Sequence, residues 1–269
     1  MTECRAAELK RVVYGPVSSW RLGRSLGIDL LSRPKTCSFD CIYCQLGRSQ
    51  HKLTARAEFV PTSRVAAELE ALADPEAEVV TFSGMGEPTL AANLGEAIVK
   101  ARDCLRRPVA VLTNSSLVSD PEVRAELALA DLVVAKLDAP DEFLFREINR
   151  PADGVAFGAM VEGLRGFQKE YEGQLAIQVM FCRNNQRHAG KLAALIAGLG
   201  ADEVQLNTPL RPSSVPPLSP EEMREIEGVF VGLPVISVYD ARKVAVKTLD
   251  PEETAARRPE PKVLPGGRV

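Results

Sequence analysis

The sequence predicts an α/β fold built on a parallel sheet covered by helices. Apolar runs of strand length alternate with amphipathic runs of helix length along most of the 269 residues. Such alternation is the pattern of repeated strand-helix-strand units. The apolar runs are continuous, not alternating, as strands buried on both faces require. Composition agrees, with 45% hydrophobic and 26% charged residues, the balance of an ordinary globular chain. The length suits one large domain or two small ones, and α/β barrels of about 250 residues fold as one.

The first strand is expected over Ser25–Leu31, leading into a loop rich in cysteine. Thr62 to Ala73 has helical period, with Thr62 or Ser63 as N-cap and Val65, Leu69 and Leu72 on one face. Glu78–Ser83 is the next strand and Asn93–Leu105 the next helix, followed by a strand at Val109–Thr113. Asp120 and Pro121 open a helix, because proline suits its first turn. A strand over Leu132–Leu137 ends at Asp138; Val155–Tyr171 is helical, Leu175–Phe181 a strand and His188–Leu199 a helix. Glu203–Asn207 is a strand, and the proline-rich loop Arg211–Pro220 precedes a helix over Pro220–Phe230. Pro234–Tyr239 is a last strand. Beyond Asp250 the chain is rich in Pro, Arg, Glu and Gly, so a loose tail is expected. The expected organisation is an N-terminal segment (1–24), a core (25–240) and a C-terminal extension (241–269). Periodicity leaves two layouts open, a doubly wound sheet and a curved partial barrel.

A net charge of -3 and a pI near 5.7 argue against a nucleic-acid partner. The N-terminus is charged and lacks the apolar stretch of a signal peptide. No apolar run reaches the ~18 residues of a membrane span, so a cytoplasmic protein with reduced cysteines and no membrane partner is expected.

Cys37, Cys41 and Cys44 are spaced C-x3-C-x2-C. Three thiolates can hold three irons of a cubane and leave the fourth open to a small molecule, unlike a four-cysteine ferredoxin site. The competing reading is a structural zinc site completed by His51. Cys4, Cys104 and Cys182 are scattered and form no paired ligand set. With only two histidines, His-based acid-base chemistry is unpromising.

The cysteine spacing resembles that of the radical S-adenosylmethionine (radical SAM) superfamily. The resemblance implies a partial (β/α)6 barrel of the TIM type, with the site at the C-terminal ends of the strands. It also implies a [4Fe-4S] cluster on Cys37, Cys41 and Cys44, S-adenosyl-L-methionine as cosubstrate, and a one-electron donor such as ferredoxin or flavodoxin. Tyr43 is then expected beside the adenine. Ser83-Gly84-Met85-Gly86-Glu87-Pro88-Thr89 is similar to the family's Gly-Gly-Glu segment, with Met85 in place of the first glycine. It is not a dinucleotide fingerprint, because Thr89 occupies the third glycine position.

Further cofactor candidates lie at other strand ends. Asn114 and Ser115 follow the third strand and have short hydrogen-bonding side chains. Lys136 and Asp138 are two apart on a strand, hence on one face, where they would form an ion pair able to hold a ribose or a polar substrate. Gln178 lies in an apolar run and needs partners if buried. Lys136, Arg150 and Asn207 are the candidate substrate residues.

Lys136-Leu-Asp-Ala-Pro140 and Phe145-Arg-Glu-Ile-Asn-Arg-Pro151 resemble 4-demethylwyosine synthase and its bacterial and archaeal relatives. That enzyme carries a second cluster and a late-strand lysine; here only Cys4 precedes the triplet, and Val179–Asn185 has no lysine. The readings to separate are four: hydrogen abstraction from a small molecule or modified nucleoside, activation of a partner protein as a glycyl-radical activase, a wyosine-type tRNA modification, and a non-catalytic zinc protein.

Overall fold

A computed structural model describes residues 10–31, 34–240 and 244–261. Eight strands form one sheet in chain order: β1 (Val13–Ser19), β2 (Gly23–Ile28), β3 (Val79–Phe82), β4 (Val109–Thr113), β5 (Leu132–Lys136), β6 (Gln174–Met180), β7 (Glu203–Asn207) and β8 (Val235–Ser237). β1 is antiparallel to β2; every later pair is parallel. A doubly wound sheet reverses its strand order at a switch point. This sheet never reverses, so it curls as a half-barrel. Right-handed crossovers in one direction put the helices on one face and leave the other to line a chamber.

The connecting helices are α1 (Thr62–Glu70), α2 (Leu94–Leu105), α3 (Pro121–Leu127), α4 (Glu142–Ile148), α5 (Phe157–Glu170), α6 (Ala189–Ala197) and α7 (Pro220–Glu227), with α8 (Pro251–Arg257) near the end of the described chain. Asp120 caps α3 through the Glu122 N–H at 2.9 Å, and Ser219 with Glu222 forms a capping box on α7.

Strand alternation separates the two faces. Val80, Phe82, Val111, Val133, Ile177, Val179, Val204 and Leu206 join the core under the helices. Their alternates Thr81, Ala110, Val134, Lys136, Gln178 and Gln205 point into the chamber. Register aligns Lys136 with Gln178 and Gln178 with Gln205, so three polar side chains form one row across β5, β6 and β7.

Several expectations need correction. The segment before residue 25 contains β1, paired to β2 on either side of an irregularity at Gly15 and Pro16, which interrupts its apolar pattern and hides it in the sequence. α1 starts at Thr62 with Pro61 at the N-cap position, and neither Thr62 nor Ser63 caps it. α4 lies between β5 and α5, capped by Asp141 through the Leu144 N–H at 3.0 Å. The chain past Asp250 first forms a helix: α8 packs on β1, with the Arg257 side chain fully buried. Ion pairs hold it where apolar residues are few. Cys4 and residues 262–269 lie outside the described residues. Among the described residues, no helix is long and apolar enough to cross a membrane.

Candidate active site

The loop after β2 carries the cysteines along the C-terminal ends of the strands. It is stitched to two other strand-end segments by backbone hydrogen bonds. The Thr36 N–H donates to the Met85 carbonyl at 2.8 Å, and the Glu87 N–H returns to the Thr36 carbonyl at 3.0 Å. On the other side the Asp40 N–H donates to the Asn149 carbonyl at 3.0 Å, the Ile42 N–H to that of Ile148 at 2.9 Å, and the Ala152 N–H to that of Ser38 at 2.8 Å.

Glycine is required at this seam. Gly86 has φ +153°, and a Cβ there would lie 1.5 Å from the Thr36 carbonyl oxygen. Gly84 has φ +152°, and its Cβ would strike the Asp29 carboxylate at 2.2 Å. A side chain at either position would push the cysteine loop away from β3.

All three thiols are free, Cys37 buried and Cys41 and Cys44 half-buried. Lys35 is surrounded by them: burial alone would lower its ammonium pKa, but Cys44, Cys37 and Cys41 outweigh that and hold it above the ordinary range. The Asn114 Nδ2 group lies 3.6 Å from the Cys37 sulfur, and the Asn149 Nδ2 group 3.5 Å from that of Cys41. The Phe39 N–H points at Cys37 Sγ from 3.4 Å. Burial, with Cys41 adding to it, pushes the Cys37 thiol up to about 12, and burial pushes Cys41 up to about 11. Thiols so disposed ionise only with a metal to take the sulfur, and binding releases their protons.

The donor set therefore fits an iron-sulfur cluster: sulfur ligands on one loop, amide donors aimed at two of them, and a lysine among the three. It does not fit the zinc alternative. That site would need His51 as its fourth ligand, and His51 is exposed while Cys37 is buried.

Glu87 is buried and meets four donors: the Thr89 N–H at 3.1 Å, the Thr89 and Thr113 hydroxyls at 2.7 Å each, and the Asn114 N–H. Burial raises its pKa, and these bonds work against that. Its carboxylate thus fixes the end of β4. Asn114 Nδ2 also donates to Ser38 Oγ at 2.9 Å. Ser115 adopts φ +69°, and its hydroxyl donates to the Lys136 carbonyl at 3.1 Å.

Asp138 is the second hub. It accepts from the Tyr43 hydroxyl, from Asn149 Nδ2 at 2.8 Å and from the Met180 N–H at 2.7 Å. Lys136 Nζ is 3.7 Å from Asp138 Oδ2 and 4.4 Å from the Tyr43 ring centre. Burial first, then Asp138, raises the Tyr43 pKa well above its usual value, so the phenol stays neutral and donates. Gln178 is buried, and its Nε2 has no hydrogen-bond partner.

The predicted residues thus assemble in part. Cys37, Cys41, Cys44, Tyr43, Asn114, Lys136 and Asp138 share one neighbourhood. Arg150 does not join them: it is half exposed, with NH1 4.0 Å from Asp40 on the outer side of the cysteine loop. The Asn207 side chain turns to the Thr208 N–H at 2.8 Å. Sequence reasoning missed Asn149, Ser38, Ser116 and Asp29. Asn149 and Asp29 follow elements as short polar residues, the only local signal they give.

The Radical SAM superfamily description matches residues 31–196, the span holding the cysteines and both hubs. The chain belongs to the radical SAM superfamily. It is an enzyme of a family that uses a [4Fe-4S] cluster and S-adenosylmethionine. Among its relatives, a UPF0026 protein of Synechocystis sp. is 43% identical over 219 residues, 80% of this chain and 79% of that one. A UPF0026 protein of Methanocaldococcus jannaschii is 36% identical over 226 residues, 81% and 70%. A probable GTP 3',8-cyclase of Saccharolobus islandicus is 25% identical over 213 residues, 77% and 65%. Among solved structures, Streptococcus suis SuiB bound to its precursor peptide SuiA superposes with TM-score 0.61 at 14% identity, covering 81% of this radical SAM chain and 50% of SuiB. AnSMEcpe with bound AdoMet gives TM-score 0.59 at 16% identity, over 78% and 64%. Both are longer chains, and at these identities the likeness is one of fold.

Proposed function

We propose that this radical SAM enzyme cleaves S-adenosylmethionine reductively and abstracts hydrogen from a small-molecule or modified-nucleoside substrate held in the half-barrel. The carrying observation is the row Lys136–Gln178–Gln205 on the chamber wall, whose Lys136 lies over the Tyr43 ring of the cysteine loop. In this reading Cys37, Cys41 and Cys44 hold the cluster, which supplies, when bound, the electron that splits S-adenosylmethionine to a 5'-deoxyadenosyl radical. Gly84 and Gly86 offer backbone groups to the methionine moiety, and Glu87 holds that turn to Asn114. Asn114 and Ser115 border the cofactor, while Lys136 and Asp138 present a fixed charge pair to the ribose or the substrate.

A nucleoside substrate draws support from the probable GTP 3',8-cyclase relative. The two runs shared with 4-demethylwyosine synthase contain Asp138 and Asn149, which anchor Tyr43 and the cysteine loop. They support common radical chemistry and carry no information about a wyosine substrate. An electron donor such as ferredoxin or flavodoxin completes the scheme. The test is anaerobic reconstitution with iron and sulfide, reduction with dithionite, and assay for 5'-deoxyadenosine. Slow formation without added substrate is expected; a reconstituted cluster that never cleaves S-adenosylmethionine would overturn the reading.

A further inference from the structure

The β7 side of the chamber gathers positive charge that the cofactor chemistry leaves unused. Arg21, from the β1–β2 turn, extends to β7, where its NH1 donates to Gln205 Oε1 at 3.3 Å; its Nε is buried without a partner. Arg211, on the loop after β7, donates to the Pro259 carbonyl at 2.6 Å. Arg258, the residue before, donates to the Ser18 carbonyl at 2.9 Å, beside the turn that carries Arg21. Three guanidiniums from three distant stretches thus meet.

Among the described residues none of the three forms an ion pair, whereas neighbouring Arg257 has two. Glu203 and Glu260 are close enough to be felt, but Glu203 accepts from Gln205 Nε2 at 2.7 Å and neither comes within ion-pair distance. Burial, with repulsion from Arg258 and Arg211, pulls Arg21 down to about 9, and burial beside Arg258 pulls Arg211 down to about 10. Half-buried cations without a counter-charge are costly. Guanidinium forks match the geometry of phosphate and carboxylate.

We infer that Arg21, Arg211 and Arg258 bind an oxyanion of the substrate, a phosphate or a carboxylate, at the β7 end of the polar row. The inference rests on the reading that the chamber is the substrate site. Two strand spacings separate Lys136 from Gln205, roughly 10 Å. The substrate class is therefore a small phosphorylated or carboxylated metabolite, anchored by its anion at Arg21 and reaching toward Lys136.

The reconstituted protein is titrated calorimetrically with inorganic phosphate and, separately, with succinate, in a buffer free of both. Saturable binding of one of them is expected, weakened at least tenfold in R21Q and in R211Q and unchanged in R224Q, an exposed arginine of α7. Arg211 lies on a loop, so R211Q keeps the test alive if R21Q fails to fold. Preference for succinate over phosphate supports the site and assigns the carboxylate. No saturable binding of either anion, or equal weakening in R224Q, overturns it. The 5'-deoxyadenosine assay on the same protein is independent, so failure of the anion site and failure of the radical SAM reading are told apart.

Discussion

The two sides of the half-barrel are finished differently. From β2 to β5, polar groups at the strand ends satisfy one another: Glu87 meets four donors, Asp138 three, and Ser38 pairs with Ser116 at 2.6 Å. On the β6–β7 side, buried donors stand unpaired inside the half-barrel at Gln178 Nε2 and Arg21 Nε; on the other side Arg24 Nε, at the start of β2 and away from the cysteine loop, is also unpaired. A buried polar group left alone costs free energy, so a site that tolerates it is one where a ligand completes the bonding. In the proposed reading, the first side is pre-organised for the cluster and S-adenosylmethionine, and the second for the substrate.

Breaking the finished side should have the largest effects. Cys37→Ala, Cys41→Ala and Cys44→Ala are each expected to reduce 5'-deoxyadenosine formation to background, with iron content and the visible spectrum reporting loss of the cluster. Arg257→Ala strands Asp29, which is buried with Arg257 Nε at 2.7 Å. A cost of about 3–5 kcal/mol is expected, as when one partner leaves a buried ion pair, and urea unfolding measures it. Gly86→Ala should cost roughly 1–3 kcal/mol from its backbone conformation and lower cluster loading more than it lowers the melting temperature. Equal losses in both would mean that the seam supports the barrel generally and not the cysteine loop.

The smallest effect sharpens the comparison most. Gln178→Leu removes a donor that has no partner, so stability should change by no more than about 1 kcal/mol in either direction. Substrate turnover should fall while uncoupled S-adenosylmethionine cleavage persists. A large destabilisation in urea would show Gln178 to be part of the finished side.

Local signals account for what the sequence made legible. β4 was readable to the residue because a continuous apolar run ends at Thr113, and β7 because Val204 and Leu206 alternate with the polar residues Glu203, Gln205 and Asn207. Asp120-Pro121 announced α3, and the cysteine spacing announced the cluster. β1 escaped notice because Gly15-Pro16 breaks its pattern, and α8 because a buried arginine network holds it where apolar residues are few. The Tyr43–Asp138 contact joins residues 95 apart, and Arg21 meets Gln205 across 184. Periodicity reports how one segment meets its surroundings and is silent on which segments meet each other. For that reason the bonds of Glu87 to Thr113 and Asn114, and the approach of Arg150 to Asp40, had no signal in the sequence.

Asp29 and Arg257 are 228 residues apart in the chain, yet they close the same buried contact. A ribosome makes the carboxylate 228 residues before the guanidinium. Until the chain is complete through Arg257, Asp29, which also holds the Met85 N–H at 3.1 Å, has no counter-charge. The turn beside the cysteine loop is therefore expected to settle only once Arg257 is in place. A nascent chain, or a product truncated before Arg257, presents the three thiols without the frame that makes them a site.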